Sequence, residues 1–246
     1  MESLPDLEEI REFWDQFASE YTTIQQESAL PIAEDMYHYL INTGVFPTNS
    51  FLDLAGGSGR YVTTFLPSVT TYTLVDISPK MLNYARQQTP AENLRLVCSD
   101  QAAFFAETPE SSFSVVFSAM NPALLQVEDL LEMNRITAKW CLILRMTRSE
   151  DCFTSIENSG MAEESLMKSY EEMLQQQKIS YSKQSFQYQD EESISRDFFR
   201  EYFQDQLSFQ ELKSHEERFF GDSDEMSNQR IHEFQLLLWK KPAIDA

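Results

Sequence analysis

Glycine is scarce in this chain, with six in 246 residues. Three of the six, Gly56, Gly57 and Gly59, fall within four positions, so backbone freedom is concentrated at a single place. Cations are short as well: 19 Lys and Arg stand against 40 Asp and Glu, a formal net charge of -21. That balance opposes phosphate backbones, whose non-specific affinity comes from Lys and Arg displacing counterions, and it removes nucleic acid from the expected partners. The three cysteines, Cys98, Cys141 and Cys152, have no C-x-x-C spacing, and the first two sit in apolar runs where free thiols pack. Reduced thiols of this kind suit a cytoplasmic location. Histidine is equally sparse: His215 with Glu216 and Glu217 is not H-E-x-x-H, and His232 and Glu233 alternate across a strand, so no metal site is expected. No run approaches the roughly 20 apolar residues a bilayer span requires, and the acidic opening MESLPDLEEI lacks the basic and apolar regions of a signal peptide.

What is present is a globular composition, 42% apolar and 13% aromatic, enough for one domain over 1–246. Its centre is FLDLAGGSGRY, residues 51–61, where a short apolar run carrying Asp53 opens into a glycine turn and then a helix-compatible segment. TYTLVDIS (71–78) reads as the next strand and ends in Asp76 and Ile77; Ser78 and Pro79 then cap a helix. An acid about 20 residues beyond a glycine turn, at the end of the adjacent parallel strand, is placed to accept both hydroxyls of a ribose. LRLVCS (94–99) is a third strand, running into Asp100 and Gln101, and FSVVFSAM (113–120) is a fourth, apolar enough to be central. The carboxyl edge of such a sheet is where open α/β folds bind ligands. A dinucleotide fingerprint would need a small residue where Val62 stands, and the lysine of a phosphate-binding loop is missing.

These motifs resemble the class I S-adenosylmethionine-dependent methyltransferases. Asp53, Gly57 and Gly59 match the family's first motif, while Ala55 stands where the family usually has glycine. FWDQFASEY resembles the family's N-terminal lid, whose tyrosine, here Tyr21, approaches the carboxylate end of the cofactor. The resemblance implies Asp76 and Ile77 beside the ribose, and Asp100 with the Gln101 backbone at the adenine. It also implies Met120 beside the cofactor. Met120 to Leu124, MNPAL, is loosely similar to the N-P-P-Y motif of amino-directed members, which gives Asn121 a candidate role in holding a target nitrogen, although the second proline and the aromatic are absent. The implied fold is a doubly wound sheet of seven strands, the last antiparallel. The implied reaction is methyl transfer from S-adenosylmethionine to a small molecule, by a monomer or homodimer. A protein methyltransferase and a non-catalytic adenosyl-ligand binder are the alternatives.

Outside the core, apolar spacing predicts a helix over 7–22, within a lid of residues 1–45, and a second helix from Leu30 to Ile41 stopped at Gly44. His38 lies off that second stripe; an exposed ring is the ordinary outcome, a proton acceptor reaching a pocket the functional one. The core spans 50–147, with a helix over 127–138 and a strand over 139–147. Residues 160–228 hold a helix over 161–177, an edge strand over 178–189 and two aromatic-faced helices, a cap or an enlarged core. A last strand covers 230–241. No side chain is singled out as catalytic, because in-line displacement at a sulfonium needs mainly positioning.

Overall fold

The structure, a computed structural model, describes residues 6–157 and 161–241. The first five residues of the expected lid and residue 160, where the expected cap begins, lie outside the described residues. In chain order the elements are α1 (Leu7–Glu27), α2 (Ile32–Asn42), β1 (Thr48–Leu54), α3 (Val62–Phe65), β2 (Val69–Asp76), α4 (Pro79–Gln88), β3 (Leu94–Cys98), α5 (Gln101–Glu107) and β4 (Phe113–Ala119). There follow α6 (Val127–Ile136), β5 (Thr137–Glu150), α7 (Thr154–Glu157), α8 (Met161–Gln176), β6 (Tyr181–Ser195), α9 (Arg196–Phe203), α10 (Phe209–Phe220) and β7 (Glu225–Lys240).

The seven strands form one sheet in the order β3-β2-β1-β4-β5-β7-β6, and the pairs among β1 to β5 are parallel. Lys241 donates to the Lys139 carbonyl and Thr147 to that of Glu233, so β7 runs opposite to β5, as the resemblance implied. Strand alternation divides β1 cleanly. Leu52 and Leu54 join a core cluster on one face with Val116, Ile143 and Trp239. Phe51 turns to the other face, where its ring meets those of Phe46, Phe65, Tyr72 and Phe117.

Helix ends follow local chemistry. Asp6 and Glu9 form a capping box at α1, the Ser78 hydroxyl accepts from the Met81 amide at α4, and Asp100 accepts from Ala103 at α5. Gly44, at φ +72°, follows α2 as expected of a stop. The chain divides into two compact units: one holds the residues to Arg145, Ser165–Phe186 and the residues from Gln235, the other Met146–Glu164 and Gln187–Phe234. In the first, Met167, Tyr170 and Leu174 of α8 pack in the sheet's core cluster, so this helix, expected in the cap, stands against the sheet. In the second, Phe153, Ile194, Phe199, Phe203 and Phe220 form a separate core. The aromatic-faced helices α9 and α10 therefore close around each other's rings. β6 is an edge strand, and its burial alternation slips at Ser182 and Lys183, the parity change that the spacing of Tyr181 and Phe186 predicts. No helix among the described residues is long and apolar enough to cross a membrane.

Candidate active site

A cavity of about 430 Å³ opens where β1 to β4 end, inside the first unit. Each strand end contributes to it. From β1 come Leu54, Ala55 and Gly57. Ala55, Gly57 and Gly59 all take the left-handed conformation, at φ 56°, 56° and 85°. Left-handed backbone favours glycine, so the alanine at position 55 is strained. Ala55→Gly should therefore stabilise the fold by up to about 1 kcal/mol, a rise in Tm of roughly 2–4 °C readable by scanning calorimetry.

The glycines serve different neighbours. A methyl group on Gly57 would come within 3.5 Å of the Tyr21 ring at the cavity wall. One on Gly56 would strike Leu74 at 2.7 Å and the Asp53 carboxyl at 2.8 Å. One on Gly59 would meet Val62 at 3.0 Å and Ala85 at 3.1 Å. Gly59, expected at the cofactor, thus faces helix packing and does not line the cavity; only Gly57 of the three does.

At the end of β2, Asp76 is 8% exposed and lines the cavity. Its two carboxylate oxygens accept the Gly57 amide at 2.9 Å and the Ser78 amide at 2.8 Å, locking the two turns to each other. Burial raises its pKa above the usual carboxylate range, opposed by those same two amides. Ile77 lies beside it in the wall. At the end of β3, Asp100 caps α5 through the Ala103 amide at 3.0 Å while facing the cavity with Gln101. At the end of β4, Met120 sits at φ 53°, a conformation a bulky side chain rarely takes and one that accumulates at functional sites. Helix α1 closes one side with Trp14 and Tyr21, whose rings lie 5.9 Å apart edge to face. Burial raises the Tyr21 hydroxyl pKa, the nearby Arg60 lowering it in part.

Besides Gly59, two expectations do not match this placement, Asp53 and His38. Asp53 is completely buried and does not line the cavity. As its alternation with Leu52 and Leu54 dictates, it shares the Phe51 face, where one carboxyl oxygen accepts the Tyr72 hydroxyl at 2.7 Å. His38 is exposed on α2 beside Tyr37, away from the cavity. Asn121 does reach the cavity wall, but its amide is committed: Nδ2 donates to Gln101 and Ser118 at 2.8 and 3.0 Å, and Oδ1 accepts from Ala123 at 2.9 Å. Both amide hydrogens are thus spent on shaping the loop after β4, while Oδ1 keeps a second lone pair.

Several lining residues carried no assignment in the sequence: Trp14, Met81, Ser99, Leu125, Gln126 and Asp129. Trp14 and Tyr21 are seven apart, two helical turns, which is a legible sign that they share a face. Asp129 is held by the Leu125 and Gln126 amides at 3.0 and 2.9 Å, a local capping box at the start of α6, and by the Gln101 side chain at 2.8 Å, a bond across 28 positions with no local sequence signature. Asp76, Asp100 and Asp129 make three carboxylates in a wall without Lys, Arg or His. Such a cavity repels phosphate and tolerates a cation.

Parallel strands in this order, with an acid-lined cavity at their carboxyl ends beneath an N-terminal helix, define the class I methyltransferase fold. Residues 51–140 match the family described as methyltransferase domain. No curated protein sequence matches the chain. Among solved structures it is similar to a methyltransferase so described from Bacillus halodurans, at 16% identity and TM-score 0.53 over 84% of this chain and 99% of that one. It is also similar to magnesium protoporphyrin IX methyltransferase from Synechocystis with bound S-adenosylmethionine, at 12% identity and TM-score 0.53 over 96% and 99%. A third is described as a sarcosine dimethylglycine methyltransferase from Galdieria sulphuraria, at 14% identity and TM-score 0.52 over 88% and 87%. Residues 51–140 thus match a methyltransferase domain, and the sheet has the fold of the S-adenosylmethionine-dependent class I enzymes. The cavity fits that cofactor: its acidic wall accommodates a sulfonium and hydroxyl groups and offers nothing to a pyrophosphate.

Proposed function

We propose that this protein transfers the methyl group of S-adenosylmethionine to a small-molecule acceptor. The observation that carries the reading is the convergence of Asp76, Asp100 and Gly57 on one cavity under Trp14 and Tyr21. Asp76 would accept the ribose hydroxyls, Asp100 the adenine amino group, and the Gly57 and Tyr21 wall would receive the amino-acid end. The cofactor supplies an electrophilic methyl group on sulfonium. The chain supplies position, because holding two reactants in line accounts for about 7–11 kcal/mol of barrier in favourable cases. Two of the similar structures are named for small acceptors, a magnesium porphyrin and sarcosine or dimethylglycine. The formal charge of -21 argues against a nucleic-acid acceptor.

Native mass spectrometry after gentle purification, followed by labelled methyl transfer to a panel of small amines, acids and alcohols, tests this. Carried or added S-adenosylmethionine should bind with the stoichiometry of one cavity, and at least one small acceptor should gain label. Binding without transfer across the panel, or label appearing only on proteins, would overturn the small-molecule reading; failure to bind the cofactor at all would overturn the whole.

A further inference from the structure

Helix α1 is tied by polar side chains to the two turns that floor the cavity. Asp15 Oδ1 accepts the Ser78 hydroxyl at 2.5 Å and the Lys80 amide at 3.2 Å. Ser78 is fully buried and directly follows the turn that carries Asp76. Nearly three helical turns on, Gln25 Oε1 accepts the hydroxyl of Ser58 at 2.9 Å, and Ser58 is itself buried between Gly57 and Gly59. Gln25 also hydrogen-bonds the Tyr21 side chain. Neither Asp15 nor Gln25 lines the cavity, yet each adjoins a residue that does: Trp14 beside Asp15, Tyr21 one turn before Gln25. The apolar attachment of α1 is thin by comparison, for Leu7, Phe13 and Ile24 are 55%, 58% and 53% exposed.

A helix with three of its seven large apolar side chains more than half exposed is not fixed by burial alone. Its placement then rests on directional bonds to buried partners, and an acid over the first turn of α4 is further favoured by that helix's dipole. We propose that Asp15 and Gln25 are positioning residues that latch α1 onto the turns at 56–59 and 76–80, so that cofactor exchange waits on the opening of these bonds. The latch rests on the cofactor reading above. It keeps Trp14 and Tyr21 over the cavity by fastening the helix on either side of them, and it couples the helix to the same turn that Asp76 orders through the Ser78 amide.

The test uses the full chain with Asp15→Ala, Asp15→Asn and Gln25→Ala. Dissociation of S-adenosylmethionine and S-adenosylhomocysteine is followed by stopped-flow tryptophan fluorescence, Trp14 being in the cavity wall, and α1 amide hydrogen exchange is measured in the ligand-free protein. Asp15→Ala and Gln25→Ala should release both ligands about tenfold faster and exchange α1 amides faster, with Tm little changed. Asp15→Asn keeps an acceptor oxygen and should release within about threefold of wild type. Wild-type release rates in both alanine variants, or equal loosening of α1 in Asp15→Asn and Asp15→Ala, would overturn the latch. If the wild-type chain binds neither ligand, the function reading falls, and the exchange comparison decides the latch by itself.

Discussion

Asp76→Ala should lower affinity for S-adenosylmethionine by two orders of magnitude or more while the sheet stays folded. Two losses add. A buried carboxylate accepting two hydroxyls contributes about 1.5–3 kcal/mol per bond, and each 1.4 kcal/mol is tenfold in the dissociation constant. The second loss is internal: the Gly57 and Ser78 amides each lose the carboxylate oxygen that accepts them, and with it goes the tie that Asp76 makes between the turns at 55–59 and 76–80. Calorimetric titration separates the two. Adenosine should bind more tightly than 2′,3′-dideoxyadenosine to wild type, and that preference should vanish in Asp76→Ala, since a merely structural role would weaken both ligands equally. A retained preference for the ribose hydroxyls would assign them to another residue.

Asp76 was legible because its signal is local: an acid ending an apolar run at a set distance from a glycine turn. Asp100 was legible for the same reason, and its cap on α5 coexists with its place in the cavity wall. Asp53 shows where such reading stops. Its parity with Phe51 was visible in the sequence, but which face of β1 borders the cavity depends on how α1 and the glycine turn pack, and that is not a property of the strand. Gly56 is a non-local case too, since what forbids a side chain there is Leu74, some 18 positions away, together with Asp53. Strand extents follow the same division. Expected over 139–147 and 230–241, β5 and β7 instead cover Thr137–Glu150 and Glu225–Lys240, because Glu225 to Arg230 is too polar to show an apolar alternation. The additional turn of α1, to Glu27 and not 22, likewise lies in a polar stretch whose helical order is supported by Gln25 reaching Ser58.

Asp53 carries the second large effect, on stability and not on binding. Its carboxyl is fully buried; one oxygen accepts the Tyr72 hydroxyl and the other has no hydrogen-bond partner. The groups that face it are Tyr72 and Asp76 of β2, with Tyr61 and Tyr21 nearby, and none is a cation. Burial pushes its pKa up to about 7, the Tyr72 bond working against the rise and the Asp76 charge adding to it. In the unfolded chain the group titrates near 3.9. The folded state therefore holds the proton more tightly, so the stabilising contribution is complete below about pH 4, declines as pH rises towards 7, and is gone above that. Three pH units correspond to a ceiling of about 4 kcal/mol, an order-of-magnitude figure. Asp53→Asn stays neutral throughout and keeps an oxygen for Tyr72, though its amide hydrogens meet the side that lacks a partner, at a constant cost of about 1–3 kcal/mol. The slope is thus the readout and not the offset. Urea unfolding between pH 5 and 8 should show the variant gaining on wild type by roughly 2–3 kcal/mol, most of it below pH 7. Carboxylates such as Asp190 and Glu171, whose pKa values are lowered by Arg230 and Lys183, lose stability in the opposite direction but equally in both proteins, so they cancel. A difference between variant and wild type that does not change with pH would mean that Asp53 is ionised in the folded protein, which would require a compensating partner for its second oxygen.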